Sequence, residues 1–451
     1  MKSLSETNLS IHKKINQAQK AAATSKAMKA HDRSLLLTKI ASHLKEEKKS
    51  WAELLVKEVY KPITFAEIEV ERAITVFQWA AAEALRFSGE TLRTDATANG
   101  KKGLGISQFF PRGVILGIAP FNFPLNLMAH KVAPAIASGN SILIKPSPAA
   151  PLITQKMQKT FEAIGAKGLM QALYTNDKQS AYVTAHEDIK YVSFTGSDTV
   201  GWMIKEQAWK KPMTLELGGN AWCIVCEDVP TQNLEAIADK ICSGAFGYAG
   251  QSCISIQNVA VHQKHHKKLK EILSEKVKKF PFGNPADPAV LCGPVIHSKA
   301  AKKIEALFSK EKKSIISRSE NYTLENGSRK LLTNLIAPTL FSLKNLQGPL
   351  VQNEVFGPAC NLLSFQKIET LIEIINSGRY GLQTGVFTNH LPTILSFYEN
   401  LETGGIHINE IPTTRYDHQP YGGVKDSGVG KEGLRYAMEE MCERKFLAIG
   451  L

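Results

Sequence analysis

No run of about 18 apolar residues occurs in the 451-residue chain, which argues against a membrane-spanning helix. The first twenty residues are polar, with Lys13 and Lys14 but no apolar block after them, so no signal peptide is expected and the cytoplasm is the expected location. Cysteine is sparse. The seven present are odd in number and share no repeated spacing, a usage that suits a reducing compartment and not a disulfide framework. Acidic residues are outnumbered, 42 Asp and Glu against 55 Lys and Arg, for a net charge of +13. Such an excess can serve nucleic acid, but the lysines are scattered over segments such as 266–280 and 298–313, without aromatic interleaving or a recognised binding module. A lysine-rich surface with no nucleic-acid and no membrane partner is therefore expected. Internal repeats and low-complexity linkers are also missing.

What is present is a long chain, 43% hydrophobic, which exceeds what one core usually serves, so two domains are expected. From about 11 to 87, apolar residues recur at helical spacing, as in Leu35, Leu36, Leu37, Ile40 and Leu44, and predict several packed helices. Segment 100–110 reads as an extended excursion leading to a strand at 113–118. A helix at 127–137 and strands at 141–145 and 191–194 continue an alternation that predicts a parallel sheet of dinucleotide-binding character. After Leu217 the pattern restarts with strand 222–226, helix 233–248, strand 257–261 and helix 266–280, extended by strand 361–365, helix 368–377 and strand 385–388. Return to the first unit is expected near 404–409. The tail 442–449 alternates as a strand, and a terminal strand needs a partner.

Three motif matches read as structural. Cys223 and Cys226 lie in an apolar run where positions i and i+3 of a strand face opposite sides, so core packing is expected over a shared metal. His262, His265 and His266 fall among lysines at a polar helix start, where a solvated face is expected and no metal site. Gly428, Gly430 and Gly433 match a dinucleotide fingerprint but lack a preceding strand and a downstream acidic residue, so a loop shaping a site from outside is expected. By contrast Thr195, Gly196 and Ser197, running to Gly201, open a helix directly after a strand. There backbone N–H groups can meet a pyrophosphate.

Cys253 lies in Phe246-Gly247-Tyr248-Ala249-Gly250-Gln251-Ser252-Cys253, where Gly250 permits close approach of a ligand and the small Ser252 leaves the sulfur uncovered. A free cysteine is most often a packing group, so its companions decide. Leu215-Glu216-Leu217-Gly218-Gly219 supplies a carboxylate and Pro120-Phe121-Asn122-Phe123-Pro124 an amide, giving a nucleophile, a base and an oxyanion donor.

Together with Lys145-Pro146-Ser147, Phe194-Thr195-Gly196-Ser197, Glu354-Val355-Phe356-Gly357-Pro358 and Pro420-Tyr421-Gly422-Gly423-Val424-Lys425, this trio resembles the aldehyde dehydrogenase superfamily. The likeness runs from about residue 20 to the C-terminus. It implies an α/β fold with a Rossmann-like parallel-sheet cofactor domain (1–95, 111–217 and 406–436), a second α/β catalytic domain (218–405) and small oligomerisation strands (96–110 and 437–451). It also implies a homodimer or homotetramer. Catalytic roles fall to Cys253 as nucleophile, Glu216 as hydrolytic base and Asn122 as oxyanion donor. For NAD or NADP the resemblance implies Lys145 at the adenosine ribose, Ser197 at the pyrophosphate, Glu354 at the nicotinamide ribose and Phe356 at its ring. Pro120, Ser147, Thr195, Gly196, Gly201 and Leu217 complete the expected cofactor set. Pro148 stands where many NAD-preferring relatives carry a glutamate, so NADP is expected to be tolerated or preferred. Thr175-Asn176-Asp177 replaces a glycine-containing turn against the adenine.

The stretch from Ile411 to His418 resembles the subgroup holding lactaldehyde, phosphonoacetaldehyde and non-phosphorylating glyceraldehyde-3-phosphate dehydrogenases, which implies a small polar or anionic aldehyde. Phe123, Ser252, Arg415 and His418 are the expected substrate residues, with Arg415 or His418 meeting an anionic tail. Ser252 speaks against a phosphonate, because phosphonate-specific relatives tend to carry arginine there. Two rivals remain at this stage: a CoA-acylating semialdehyde dehydrogenase, which Glu216 disfavours, and an inactive scaffold or basic nucleic-acid binder.

Overall fold

A computed structural model of the chain describes residues 5–323, 333–343, 346 and 348–450. The ends of the two outer expected segments, 1–4 and 451, lie outside the described residues.

Four helices, Asn8–Ala27, Ala30–Glu46, Lys48–Val59 and Ile63–Arg86, open the chain, as the apolar spacing predicts. They pack around a six-stranded sheet whose order is Gly428–Val429, Met213–Glu216, Ile189–Thr195, Val114–Ile118, Ser141–Lys145, Met170–Ala172. All pairings are parallel except that of Gly428–Val429, which runs antiparallel along Met213–Glu216. The glycine-rich segment is thus no dinucleotide fingerprint. Nor does it lie outside the site: it adds an edge strand beside Glu216, because glycines let two backbones meet there.

Strand order reverses between Val114–Ile118 and Ile189–Thr195, the place where open α/β sheets bind ligands at their carboxyl ends. Pro120 and Asn122 follow the first of these strands, and Gly196 and Ser197 the second. Helix Pro124–Ala137, buried along its whole length, fills the space beneath.

The second unit is a seven-stranded sheet, ordered Ile315–Arg318, Thr339–Phe341, Ala359–Phe365, Ile256–His262, Ala221–Val225, Gln383–Phe387, Gly405–Ile408. Its central strands are buried on both faces; Ala221–Val225 is apolar throughout, whereas Ile256–His262 and Gln383–Phe387 bury Gln257, Asn258, Gln383 and Thr384 as well. Gly405–Ile408 pairs parallel to Gln383–Phe387, so the crossing expected at 406 falls after Ile408 instead.

Cys442–Gly450 pairs antiparallel with Gly103–Pro111, and Glu90–Arg93 extends this three-stranded sheet on the other side. The excursion therefore begins near Glu90 and not at 96. Cys223 and Cys226 are buried free thiols in the core of the second unit, as expected from their pattern. The histidine expectation fails: His262 closes a strand and packs on Phe365 at 5.6 Å, while His265 is 2% exposed and its Nε2 lies 3.0 Å from the Glu227 carbonyl. Helix Gln263–Lys279 starts three residues earlier than the pattern suggests and turns that face inward.

Candidate active site

Helix Leu234–Phe246 ends against three consecutive residues in the left-handed region: Tyr248 (φ 50°), Ala249 (φ 55°) and Gly250 (φ 65°). Two of these carry side chains, a strained arrangement that surrounding contacts must hold. Tyr248 is pinned by its N–H to Leu291 O (2.9 Å) and its hydroxyl to Val59 O (3.1 Å). A Cβ on Gly250 would sit 2.3 Å from Gly357 O, so the turn presses directly on the Glu354–Pro358 loop. Its outcome is to present Cys253, the one half-buried cysteine of seven; the other six are buried.

The approach of strand Met213–Glu216 is equally close. A Cβ on Gly219 would meet Cys253 O at 2.1 Å, so the Gly218–Gly219 backbone lies against the Cys253 loop. Gly219 N–H donates to Glu354 Oε1 at 3.0 Å. Tyr421 and Gly422 join the two candidate groups: the Tyr421 hydroxyl is 3.4 Å from Cys253 Sγ, and a Cβ on Gly422 would come within 2.9 Å of Glu216 Oε1. Asn122 Nδ2 donates to Gln251 O at 3.0 Å, two residues before Cys253, and its carboxamide carries a second N–H. Cys253, Glu216 and Asn122, distant in sequence, are brought to one place.

Electrostatics differ sharply across it. Burial among Ile254, Leu382 and Tyr421 pushes the Cys253 thiol up to about 12. Glu216 is 2% exposed and neither carboxylate oxygen has a partner among the described residues. Burial first, and then the charge of Glu432, hold its proton affinity well above the ordinary carboxylate range. Glu432 accepts from Lys131 Nζ (2.9 Å) and Arg415 Nη2 (3.2 Å), and Lys131 also donates to Ser193 (3.0 Å) and Thr195 (2.7 Å) hydroxyls. Lys131 and Glu432 are functional candidates that the sequence reading passed over. A lone lysine in the apolar run 125–137 was the available signal for the first.

The cofactor candidates gather at the carboxyl ends of the first sheet. Ser197 precedes helix Asp198–Gln207, is exposed, and makes no side-chain cap, which leaves the helix N-terminus open for a phosphate group. Gly201 has no room for a Cβ, which would lie 2.3 Å from Leu217, so helix and strand pack closely enough to aim that terminus at the strand ends. Lys145 ends its strand half-buried, and Ser147 turns toward Ala149 N–H (3.3 Å). Burial raises Glu354 to about 7. Phe356 (φ 50°) meets Phe121 edge to face at 5.9 Å. These open donors and close-packed glycines fit a dinucleotide. Thr195 differs: its hydroxyl is taken up by Lys131 and Glu432. Asn176, in the departing turn, caps helix Asp177–Ala185 in a capping box.

Among the substrate expectations, Ser252 flanks the sulfur, and Phe123 stacks edge to face with Tyr248 at 6.1 Å under the Lys61 ammonium. Arg415 is committed elsewhere, its guanidinium paired with Glu432 and lying 3.7 Å over the Tyr421 ring. His418 is exposed and stacks on Trp79 at 4.8 Å. Among the described residues no group of three or more His, Cys, Asp or Glu is placed to hold a metal ion.

A parallel dinucleotide-type sheet joined to a second α/β unit, with a cysteine presented at the junction, defines an α/β oxidoreductase architecture built around a thiol. The chain belongs to the aldehyde dehydrogenase family, whose model matches residues 3–447. It is 35% identical to the 3-sulfolactaldehyde dehydrogenase of Priestia aryabhattai over 423 residues, 93% of this chain and 87% of that protein. It is 36% identical to a lactaldehyde dehydrogenase of Methanococcus maripaludis over 441 residues, 96% and 91% of the two chains. Among solved structures, glyceraldehyde-3-phosphate dehydrogenase GapN from Methanocaldococcus jannaschii, complexed with NADP, superposes with a TM-score of 0.89 at 32% identity, covering 99% of this chain and 95% of that one.

Proposed function

We propose that this enzyme oxidises a small polar or anionic aldehyde to its carboxylic acid with NAD or NADP, through a covalent adduct on Cys253. One observation carries the reading: the Tyr421 hydroxyl lies on the Cys253 sulfur, and the adjacent Gly422 is close enough to the Glu216 carboxylate that a Cβ there would meet it, so thiol and base share a wall.

A bare carbonyl carbon has no electron-rich oxygen to expel a hydride, so an adduct must form first. Cys253 releases its proton to solvent water and its sulfur bonds to the aldehyde carbon, moving the carbonyl electron pair onto oxygen. The second Asn122 N–H stabilises that oxyanion; one such donor is typically worth about 3 kcal/mol. A bound nicotinamide supplies the hydride acceptor, and an acyl group remains on sulfur. Glu216 then takes a proton from water as the water oxygen attacks the thioester carbon; the C–S bond breaks and the acid leaves. A carboxylate of raised proton affinity is the better base at neutral pH. Lys145, the Ser197 helix terminus, Glu354 and Phe356 would hold the cofactor. Pro148 leaves no carboxylate three residues after Lys145 to repel a 2′-phosphate, so NADP is accepted. A kcat/KM advantage for NAD of about a hundredfold would exclude that preference.

The substrate class rests on the named relatives, whose aldehydes are small, and on the basic surface. The outer edge of strand Cys442–Gly450, with Phe446, Leu447 and Ile449 exposed, is the surface for a second copy in a homodimer or homotetramer. No described helix is long and apolar enough to cross a membrane, and the cytoplasm is the proposed location.

Intact-mass measurement of Glu216→Gln incubated with an aldehyde and oxidised cofactor tests the chemistry. An acyl increment mapped to Cys253 is expected. Its absence, with the variant folded and the cofactor bound, would exclude the mechanism.

A further inference from the structure

A thiolate formed at Cys253 would pack against Ile254, Leu382 and Tyr421. Desolvated anions are costly unless a donor meets them. The polar atom that the structure places on the sulfur is the Tyr421 hydroxyl, at 3.4 Å. A phenol of 3% exposure needs a partner of its own, and among the described residues its hydroxyl pairs with Cys253 Sγ.

Tyr421 is held from three sides. Its N–H donates to Glu432 O (3.0 Å), and the Glu432 N–H returns to Tyr421 O (2.7 Å), so the two backbones are locked together. The Glu432 carboxylate meanwhile fixes Arg415, whose guanidinium covers the Tyr421 ring at 3.7 Å. A cation on the ring face draws electron density from the phenol and strengthens its O–H as a donor. Glu432 thus orders both the ring and the cation upon it.

We infer that the Tyr421 hydroxyl is a catalytic donor to the Cys253 thiolate, and that Arg415 is a positioning residue acting through the Tyr421 ring. While the sulfur carries its proton either atom can donate; a thiolate can only accept, so ionisation sets the bond in one direction and Tyr421 keeps its proton throughout. The inference rests on Cys253 being the nucleophile. It gives Arg415 a task at the sulfur, in place of the substrate's anionic tail.

The test is the rate of alkylation by iodoacetamide as a function of pH, with the labelled peptide mapped by mass. The other six cysteines are buried, so Cys253 reports. In Tyr421→Phe the ring and its packing remain. Its rate at pH 8 should fall about tenfold to a hundredfold, the profile moving alkaline without a change of shape. Arg415→Met should move it the same way by a smaller factor, and Arg415→Lys should restore part of the shift. A Tyr421→Phe profile that overlays wild type overturns the inference. So does an Arg415→Met variant that keeps the wild-type profile and loses affinity for anionic aldehydes alone. Failure of wild-type Cys253 to take the label, or labelling without loss of dehydrogenase activity, would instead sink the nucleophile assignment.

Discussion

Glu216 and Glu432 lie on neighbouring backbones of one small region, both buried, at 2% and 1% exposure, yet they hold protons oppositely. Burial alone would raise both. At Glu432, Lys131 and Arg415 more than offset that cost, and its affinity falls well below the ordinary carboxylate range. At Glu216 no donor reaches either oxygen among the described residues, and the charge on Glu432 adds to the burial. One carboxylate is neutralised by partners and serves as an anchor; the other is left short of them and keeps its capacity to take a proton. Partners, and not depth, make the difference.

The largest expected effect of breaking this contrast is kinetic. Glu216→Gln should lower steady-state turnover about 10²- to 10⁴-fold. A loss below tenfold would mean that some other group activates water. Next comes stability: Glu432→Gln strips the carboxylate from two buried cations and should cost about 3–5 kcal/mol in urea unfolding. Equal midpoints for the two proteins would show that Lys131 and Arg415 find other partners.

A smaller effect is expected in thermal stability. Because the Glu216 carboxyl binds its proton more tightly folded than unfolded, it costs nothing below the ordinary carboxylate range. The cost grows as pH rises above that range and levels off beyond the folded value. Glu216→Gln should therefore melt above wild type at pH 8, with the gain shrinking toward pH 4. Each kcal/mol corresponds to about 2–4 °C in domains of ordinary size. A gain that is constant with pH would place its origin elsewhere. The smallest effect sharpens the pair directly. Removing the Glu432 charge lowers the proton affinity of Glu216, so residual deacylation in Glu432→Gln should rise at lower pH than in wild type. An alkaline displacement would reverse the assigned coupling.

Much of this region is legible in sequence because its chemistry sits in short local patterns. Cys253 just after Gly250 and Ser252, Glu216 before two glycines and Asn122 between phenylalanines each stand out within six residues. Strand and helix alternation likewise gives the two sheets and the order of elements around Ser197 and Lys145. What stays hidden depends on long-range approach. Lys131 is one charge in an apolar helix, and Glu432 follows glycines that look like a loop; only the folded sheet edge sets them beside Glu216. Tyr421 lies inside the family-like run Pro420–Lys425, but nothing local says that its hydroxyl touches a sulfur 168 residues earlier. The inward turn of His262 and His265 is concealed by the lysines around them. Arg415 misleads in the opposite sense, because a cation near a substrate loop reads as an anion ligand until its partner is seen.

Rapid mixing of Glu216→Gln with aldehyde and oxidised cofactor, following reduced nicotinamide, tests the convergence of these groups most directly. A burst of about one equivalent per chain is predicted, followed by almost no turnover, with the burst abolished when Cys253→Ala is added. Absence of a burst in a folded, cofactor-binding variant, or its survival without Cys253, would contradict the account.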